Sequence, residues 1–307
     1  MKILLQTPPE RADEWRTALE AAMPDEAIAI WPDAPANPDY ALVWRPPADL
    51  FVRARPTRAI FNLGAGVDGL MSVPTLPNDV PVIRLEDAGM AEQMADYVTL
   101  AVLRAYRETD AYAAQQRERV WQPRPIIAKN TFGVGFLGFG VLGNVVARTL
   151  LPFGFPLYAW SRTRKTAPRV VSYAGFAELH EFLAKARVLV CLLPATADTA
   201  SLLDRAALQT LPAGAHVINV ARGGIIVDED LIALLDSGHL AGAMLDVFRE
   251  EPLPRAHPFW HHPRILLTPH VSAVTLVAEA IAQVAGKIRR LERGEAVTGV
   301  VDRVRGY

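Results

Sequence analysis

Only one cysteine, Cys191, occurs in the 307 residues, so no disulfide framework can staple this chain; its place in the apolar run VLVCLLP marks it as a small buried hydrophobe rather than a reactive thiolate. Neither sign of charge is in excess. Lys plus Arg number 32 against 33 Asp plus Glu, which leaves nothing to draw the protein onto nucleic acid or an anionic membrane, and neither is expected as a partner. Long hydrophobic runs are missing too. The opening MKILLQTPPE falls far short of a signal-peptide core, so a cytoplasmic protein is the simplest expectation. The longest uncharged stretch, Asn130 to Ala147, holds five glycines and suits a strand, turn and helix better than a membrane span. His257, His261 and His262 share a proline-rich loop without HExxH spacing, so no metal is expected. His180, His216 and His239 read as structural.

What is present is a globular composition, 51% hydrophobic and 21% charged, in a chain long enough for two domains. Short apolar strands recur at Ile3 to Leu5, Ile28 to Ile30, Leu42 to Trp44, Ala59 to Phe61 and Val82 to Arg84, in α/β alternation. From Gly89 the apolar residues Met90, Met94, Tyr97, Val98, Ala101, Val102, Ala105 and Tyr106 take helical spacing, and one long helix is expected to about Arg119, closed by the prolines of WQPRP. A second alternation follows, with strands near Thr131 to Leu137, Pro156 to Trp160, Val188 to Leu193, His216 to Val220, Ala243 to Val247 and Ile265 to Leu267, which is a nearly complete doubly wound domain. Leu276 to Arg293 has helical spacing and would return the chain to the first domain. The expected division is 1–96 and 273–307 for a discontinuous first domain and 97–272 for the second.

The second domain opens with TFGVGFLGFGVLGNVVARTL, in which Gly138, Gly140 and Gly143 keep GxGxxG spacing between a strand and a helix. That context reads as a dinucleotide site: Gly138 for the tight turn, Gly140 for close approach of a pyrophosphate, Gly143 for helix-on-strand packing, and the helix N-terminus from Val141 and Leu142 for the phosphate oxygens. Some twenty residues on, where an acidic residue would bind an unphosphorylated ribose, stand Ser161, Arg162, Thr163, Arg164 and Lys165. A hydroxyl and three cations suit a 2′-phosphate, so NADPH is preferred over NADH, with an ordinary solvated loop as the alternative. Leu193, Pro194 and Asp246, near the ends of later strands, complete the expected cofactor set.

Three segments late in this domain carry chemistry: NVARGGIIVDED around Arg222, DVFREEPLP around Glu251 and LTPHVSAVT around His270. Each follows a predicted strand, and the carboxyl ends of strands in an open α/β sheet face the ligand crevice. Together they fit reduction of a 2-ketoacid, with His270 as general acid, held protonated and oriented by Glu251, and Arg222 gripping carboxylate and ketone oxygen. Taken singly, each has a plainer reading: a surface ion pair, a turn residue before Pro252, a capping histidine.

This order of GxGxxG, ARG, a Glu before Pro and a PH segment, wrapped by a split first domain, resembles the D-2-hydroxyacid dehydrogenase family. ALVWRPP, LGAGVD, LEDAGMAEQMADY, YAWSRTRK, GAMLDVF and the terminal VDRVRGY are similar to its bacterial glyoxylate/hydroxypyruvate reductase A subgroup. The resemblance implies an α/β protein with a Rossmann dinucleotide-binding domain inserted into a flavodoxin-like substrate domain, the roles given above for Arg222, Glu251 and His270, and a carboxylate cradle from the turn Leu63, Gly64, Ala65, Gly66 and Val67, whose amides would oppose the arginine. It also implies a homodimer joined through the nucleotide domain, with Trp121 either reaching the partner's active site or simply packing. Trp44 and Arg45 could line the substrate pocket, although a buried aromatic and a surface arginine explain them equally well. The chain departs from the family pattern after the histidine, where Ser272, Ala273 and Val274 stand in place of an early glycine, and at Ser161. The remaining alternatives are another 2-ketoacid as substrate, or a regulator that binds NADP(H) without catalysis.

Overall fold

The computed structural model describes residues 1–307 and divides into two compact units, Met1–Met90 with Val274–Tyr307, and Ala91–Ala273. In the first unit, β1 (Lys2–Gln6), β2 (Ala27–Ile30), β3 (Tyr40–Val43), β4 (Ala59–Asn62) and β5 (Val82–Arg84) form an all-parallel sheet in the order β2-β1-β3-β4-β5, which is the flavodoxin-like order. Both faces are covered, so β3 and β4 are buried along their whole length, as parallel strands between helical layers must be. The helix Val277–Glu292 returns to this unit because Val277, Ala280, Ile281, Val284, Ala285 and Ile288 make one apolar stripe, while Glu292 at its end accepts hydrogen bonds from Tyr40 and Arg58. The last residues pair with the edge strand: Arg84 N donates to Gly299 O and Val301 N to Val82 O.

The second unit holds β6 (Val134–Leu137), β7 (Leu157–Ser161), β8 (Val170–Ala174), β9 (Val188–Cys191), β10 (Ala215–Asn219), β11 (Leu240–Leu245) and β12 (Ile265–Leu267), all parallel, in the order β12-β11-β10-β9-β6-β7-β8. This is the Rossmann order with one strand added. Successive residues serve opposite faces: Leu137, Leu189, Val217 and Leu245 enter one core, and Phe136, Val190, Ile218 and Met244 the other. Cys191 is fully buried and its thiol is pushed up to about 12 by desolvation, so it is inert.

Some expected elements need correction. The helix from Gly89 to Arg119 is two helices, Met90–Tyr106 and Thr109–Glu118, because Glu108 takes a left-handed conformation at φ 50°. The second compact unit begins at Ala91, a little ahead of residue 97, since Met94 and Ala95 pack with Phe136 and Val146 in its core. The strand expected from Thr131 starts at Val134, after a 3-10 turn at Lys129–Thr131, and β8 is a strand absent from those expected. As an edge strand, β8 is only partly buried and lacks the continuous apolar run that marks its neighbours.

On β10, burial and the nearby Arg187 press the His216 imidazole down to about 4, against the weaker pull of Asp110 and Glu108. The folded state therefore keeps His216 neutral where the unfolded chain, near pH 6.5, already takes up its proton. Stability is full above that pH and is lost as pH falls towards 4, by at most about 3 kcal/mol. Replacing His216→Leu should flatten urea-denaturation stability across this window relative to the wild-type chain; identical slopes would refute the assignment.

Candidate active site

β6 lies between β7 and β9, so the loops leaving β6 and β9 part in opposite directions and open a crevice at the carboxyl ends of the strands. The glycine loop sits there. Gly138 has φ +104°, and a Cβ on it would stand 2.8 Å from the Leu192 carbonyl group. A Cβ on Gly143 would come within 2.8 Å of Gly138 O, whereas at Gly140 it would meet nothing within 4 Å. Gly138 and Gly143 thus permit close packing inside the protein, and Gly140 keeps the outer side of the turn open. The amides of Phe139, Gly140, Val141, Leu142 and Gly143 donate to no acceptor in the chain. Free amides at a helix N-terminus beside an open face fit a pyrophosphate.

Ser161 ends β7, and its hydroxyl donates to Thr163 O at 2.8 Å. Arg162, Arg164 and Lys165 are exposed beyond it. Arg164 is tied back to the Ser172 carbonyl on the edge strand and to Glu178 beyond it, and Lys165 N donates to the Ser172 hydroxyl at 3.2 Å. Leu193 is buried and Pro194 exposed after β9, and the Thr199 hydroxyl donates to Pro194 O at 2.7 Å.

Arg222, Glu251 and His270 stand on the loops that leave the adjacent strands β10, β11 and β12. His270 Nδ1 lies 2.8 Å from Glu251 Oε2, and Phe248 N donates to Glu251 Oε1 at 3.1 Å, which fixes the carboxylate from its far side. Arg222 is extended, at φ −146°, and its neighbour Gly223 packs so tightly that a Cβ there would fall 1.9 Å from the carbonyl carbon of Phe248. Only glycine lets the arginine loop lie against the glutamate loop.

Two buried polar residues brace these loops, Asn219, which the sequence reading did not name, and Asp246, which it did. Asn219, the last residue of β10, donates from Nδ2 to Arg222 O at 3.0 Å, accepts from Ala221 N at 3.1 Å, and takes the backbone N–H of Asp246 on its carbonyl at 3.0 Å. Asp246 was expected to bind cofactor. It is fully buried, and its two oxygens accept from the Thr268 hydroxyl at 2.6 Å, Val271 N at 2.9 Å and Ser272 N at 2.8 Å. Its own carbonyl accepts from His270 N at 2.9 Å. Thr268 is held in turn by the Tyr97 hydroxyl at 2.5 Å, on a phenol that burial pushes up to about 12. Asp246 therefore grips the chain on both sides of His270, whose φ of +56° is the left-handed conformation a non-glycine residue rarely takes. The signal available in sequence was a polar residue closing an apolar strand, in HVIN and in GAMLD.

In the first unit, Trp44 follows β3 and lies over Gly64, where a Cβ would meet the indole at 2.1 Å. Arg45 is exposed, at φ 47°, with its guanidinium carbon 5.8 Å from the Trp44 ring centroid. Ala65 and Gly66 lie on the loop after β4, half-buried and exposed respectively.

Replacing Asp246→Asn leaves one of three donors facing an amide N–H. It should lower unfolding stability by about 2–3 kcal/mol, the cost of an orphaned buried donor. Urea denaturation of the variant checks this, and a change below about 0.5 kcal/mol would show that the carboxylate does not organise the loop.

Residues 99–272 match the family model described as "D-isomer specific 2-hydroxyacid dehydrogenase, NAD binding domain". Over 313 aligned positions, covering all of both chains, the sequence is 47% identical to glyoxylate/hydroxypyruvate reductase A of Salmonella paratyphi B and 48% identical to that of Klebsiella pneumoniae. Among solved structures it resembles a D-isomer specific 2-hydroxyacid dehydrogenase from Xanthobacter autotrophicus in complex with NADPH and MES, with TM-score 0.94, 39% identity and coverage of 100% of this chain and 99% of that one. It also resembles an NADPH-dependent glyoxylate/hydroxypyruvate reductase from Sinorhizobium meliloti in complex with NADP and sulfate, with TM-score 0.93, 34% identity and the same coverage. Full-length relatives at this identity, a matched domain and a site on the expected strands agree: the chain belongs to the D-isomer specific 2-hydroxyacid dehydrogenase family.

Proposed function

We propose that this chain reduces a small 2-ketoacid, glyoxylate to glycolate or hydroxypyruvate to D-glycerate, with NADPH as the preferred hydride donor. The observation that carries this reading is the 2.8 Å pair of His270 Nδ1 and Glu251 Oε2, on loops beside that of Arg222 and in the unit whose glycine loop fits a dinucleotide. The names of the full-length relatives support the substrate class, and the NADPH and NADP complexes of the structural neighbours support the cofactor. NADH is the weaker donor in this reading, because no carboxylate stands at Ser161 to bind a free 2′-hydroxyl.

Bound NADPH supplies the hydride that the carbonyl carbon receives. His270 gives a proton to the carbonyl oxygen, so the C=O becomes CH–OH and a neutral imidazole is left. Glu251, holding Nδ1, leaves Nε2 as the nitrogen that delivers it. Arg222 grips the carboxylate and polarises the ketone with its planar fork. We also propose a homodimer formed through the nucleotide unit, supported by Trp121 and Ile126, which stand 98% and 95% exposed beyond the helix Thr109–Glu118.

The test is oxidation of NADPH and of NADH, in parallel, with glyoxylate, hydroxypyruvate, pyruvate and phenylpyruvate. Fast NADPH turnover with the first two is expected; binding of NADPH without turnover of any ketoacid would favour a regulator instead. His270→Ala should cut kcat by about 10²–10⁴ while NADPH affinity holds, the loss expected of a general acid. Unchanged turnover removes His270 from that role. Arg162→Ala should raise KM for NADPH about tenfold, the worth of one charge-assisted contact to a phosphate, and leave NADH unaffected. Equal losses with the two cofactors would sink the 2′-phosphate assignment.

A further inference from the structure

The turn after β4 is held by a residue outside the machinery described so far. Asn62 closes β4 and is 3% exposed. Its Nδ2 donates to Gly64 O at 2.8 Å and to Gly66 O at 3.0 Å, so the two hydrogens of one amide serve two carbonyls at alternate positions of the turn. Across a planar trans peptide the C=O of one residue and the N–H of the next point in opposite directions. Turning the Gly64 and Gly66 carbonyls in towards Asn62 therefore turns the N–H groups of Ala65 and Val67 away from it. The amides from Gly64 to Val67 donate to no acceptor in the chain, and the Trp44 ring over Gly64 closes off one direction in which the turn could relax. Two parallel N–H groups at alternate positions, free of internal partners, form a receptor for a carboxylate or a similar anion.

We infer that Asn62 is a positioning residue for substrate binding: it aims the Ala65 and Val67 amides at the substrate carboxylate without touching the substrate. This rests on the 2-ketoacid reading for the identity of the anion, while the receptor itself rests on the first unit alone. Asn62→Asp keeps the size of the side chain but replaces its donor with an oxygen that repels both carbonyls, so the turn loses the force that orients it. Asn62→Ser keeps one donor.

The experiment uses the NADPH-loaded enzyme with oxalate, an unreactive dicarboxylate, as the probe, measured by calorimetry beside glyoxylate kinetics and thermal melting. For Asn62→Asp the oxalate Kd and the glyoxylate KM should rise together by about tenfold or more, the loss of about one hydrogen bond to a charged group. NADPH Kd should stay within about twofold. Asn62→Ser should fall between Asp and wild type, and it carries the comparison alone if the aspartate variant does not fold. An oxalate Kd unchanged in a folded variant overturns the inference, and so does a proportional loss of NADPH affinity, which marks a general structural defect. A wild-type enzyme that binds oxalate, and loses it on Asn62→Asp, yet reduces no ketoacid would sink the proposed activity and leave the receptor standing. Turnover of glyoxylate with oxalate binding indifferent to residue 62 would do the reverse.

Discussion

The reaction end of the nucleotide unit depends on where the Asp246 carboxylate can find donors. A carboxylate taken wholly out of water is tolerated only if its lone pairs are met, and here they are met by one hydroxyl and two backbone N–H groups from a single short stretch, Thr268 to Ser272. The stretch must bend to bring these groups together, and the bend falls on His270 at φ +56°. A left-handed residue with a side chain costs about 1 kcal/mol or more, less than three charge-assisted hydrogen bonds return. The strain is therefore held in place, and its consequence is the direction of the imidazole, with Nδ1 on Glu251. One buried acid thus converts sheet geometry into the orientation of a proton donor.

Asn219 carries the same logic to the next loop. It pairs with Leu245 in the ladder, accepts the N–H of Asp246, and spends its side chain on the backbone around Arg222. Gly223 then allows the arginine loop to touch the backbone at Phe248 and Arg249, the stretch whose Phe248 N–H also fixes Glu251. Three loops from three adjacent strands are in this way cross-tied by polar atoms that no solvent reaches. A shift in one would orphan groups in another, which is how a fixed geometry is obtained from loops that would otherwise be the mobile part of an α/β domain.

Much of this was legible in the sequence, for identifiable reasons. The dinucleotide turn could be read because Gly138 and Gly143 are sterically obligatory at fixed spacing, and the neighbouring placement of Arg222, Glu251 and His270 because each stands in a loop just after an apolar strand pattern. What escaped reading has equally physical causes. β8 is an edge strand with solvent on one side, so VVSYA carries no long apolar run to announce it. The break at Glu108 is a single left-handed residue just past Tyr106, the last apolar residue of the spacing, in a charged stretch that could have continued the helix. The bracing role of Asp246 is fixed by donors on another loop, which no local pattern encodes. Asn62 is silent for the same reason, since its partners are carbonyls and any sequence has those.

Asn62 and Asn219 reveal a shared device in two units of different topology. Each is the final residue of a parallel strand, each is buried, and each donates from its amide to a carbonyl of the loop that follows, two to four residues on. Asparagine suits the place because its side chain is short, uncharged and able to give and accept, so it can stand at the end of a dry strand without the desolvation cost of a charge. It is a poor strand former, and its presence there trades a little sheet stability for control of a peptide plane. For a substrate of only two or three carbons that control matters more than contact area. Such a molecule offers little apolar surface to bury, so its affinity and alignment must come from a few donors whose directions are set before it arrives. Backbone N–H groups fixed by a buried amide meet that need with no side-chain entropy left to lose on binding.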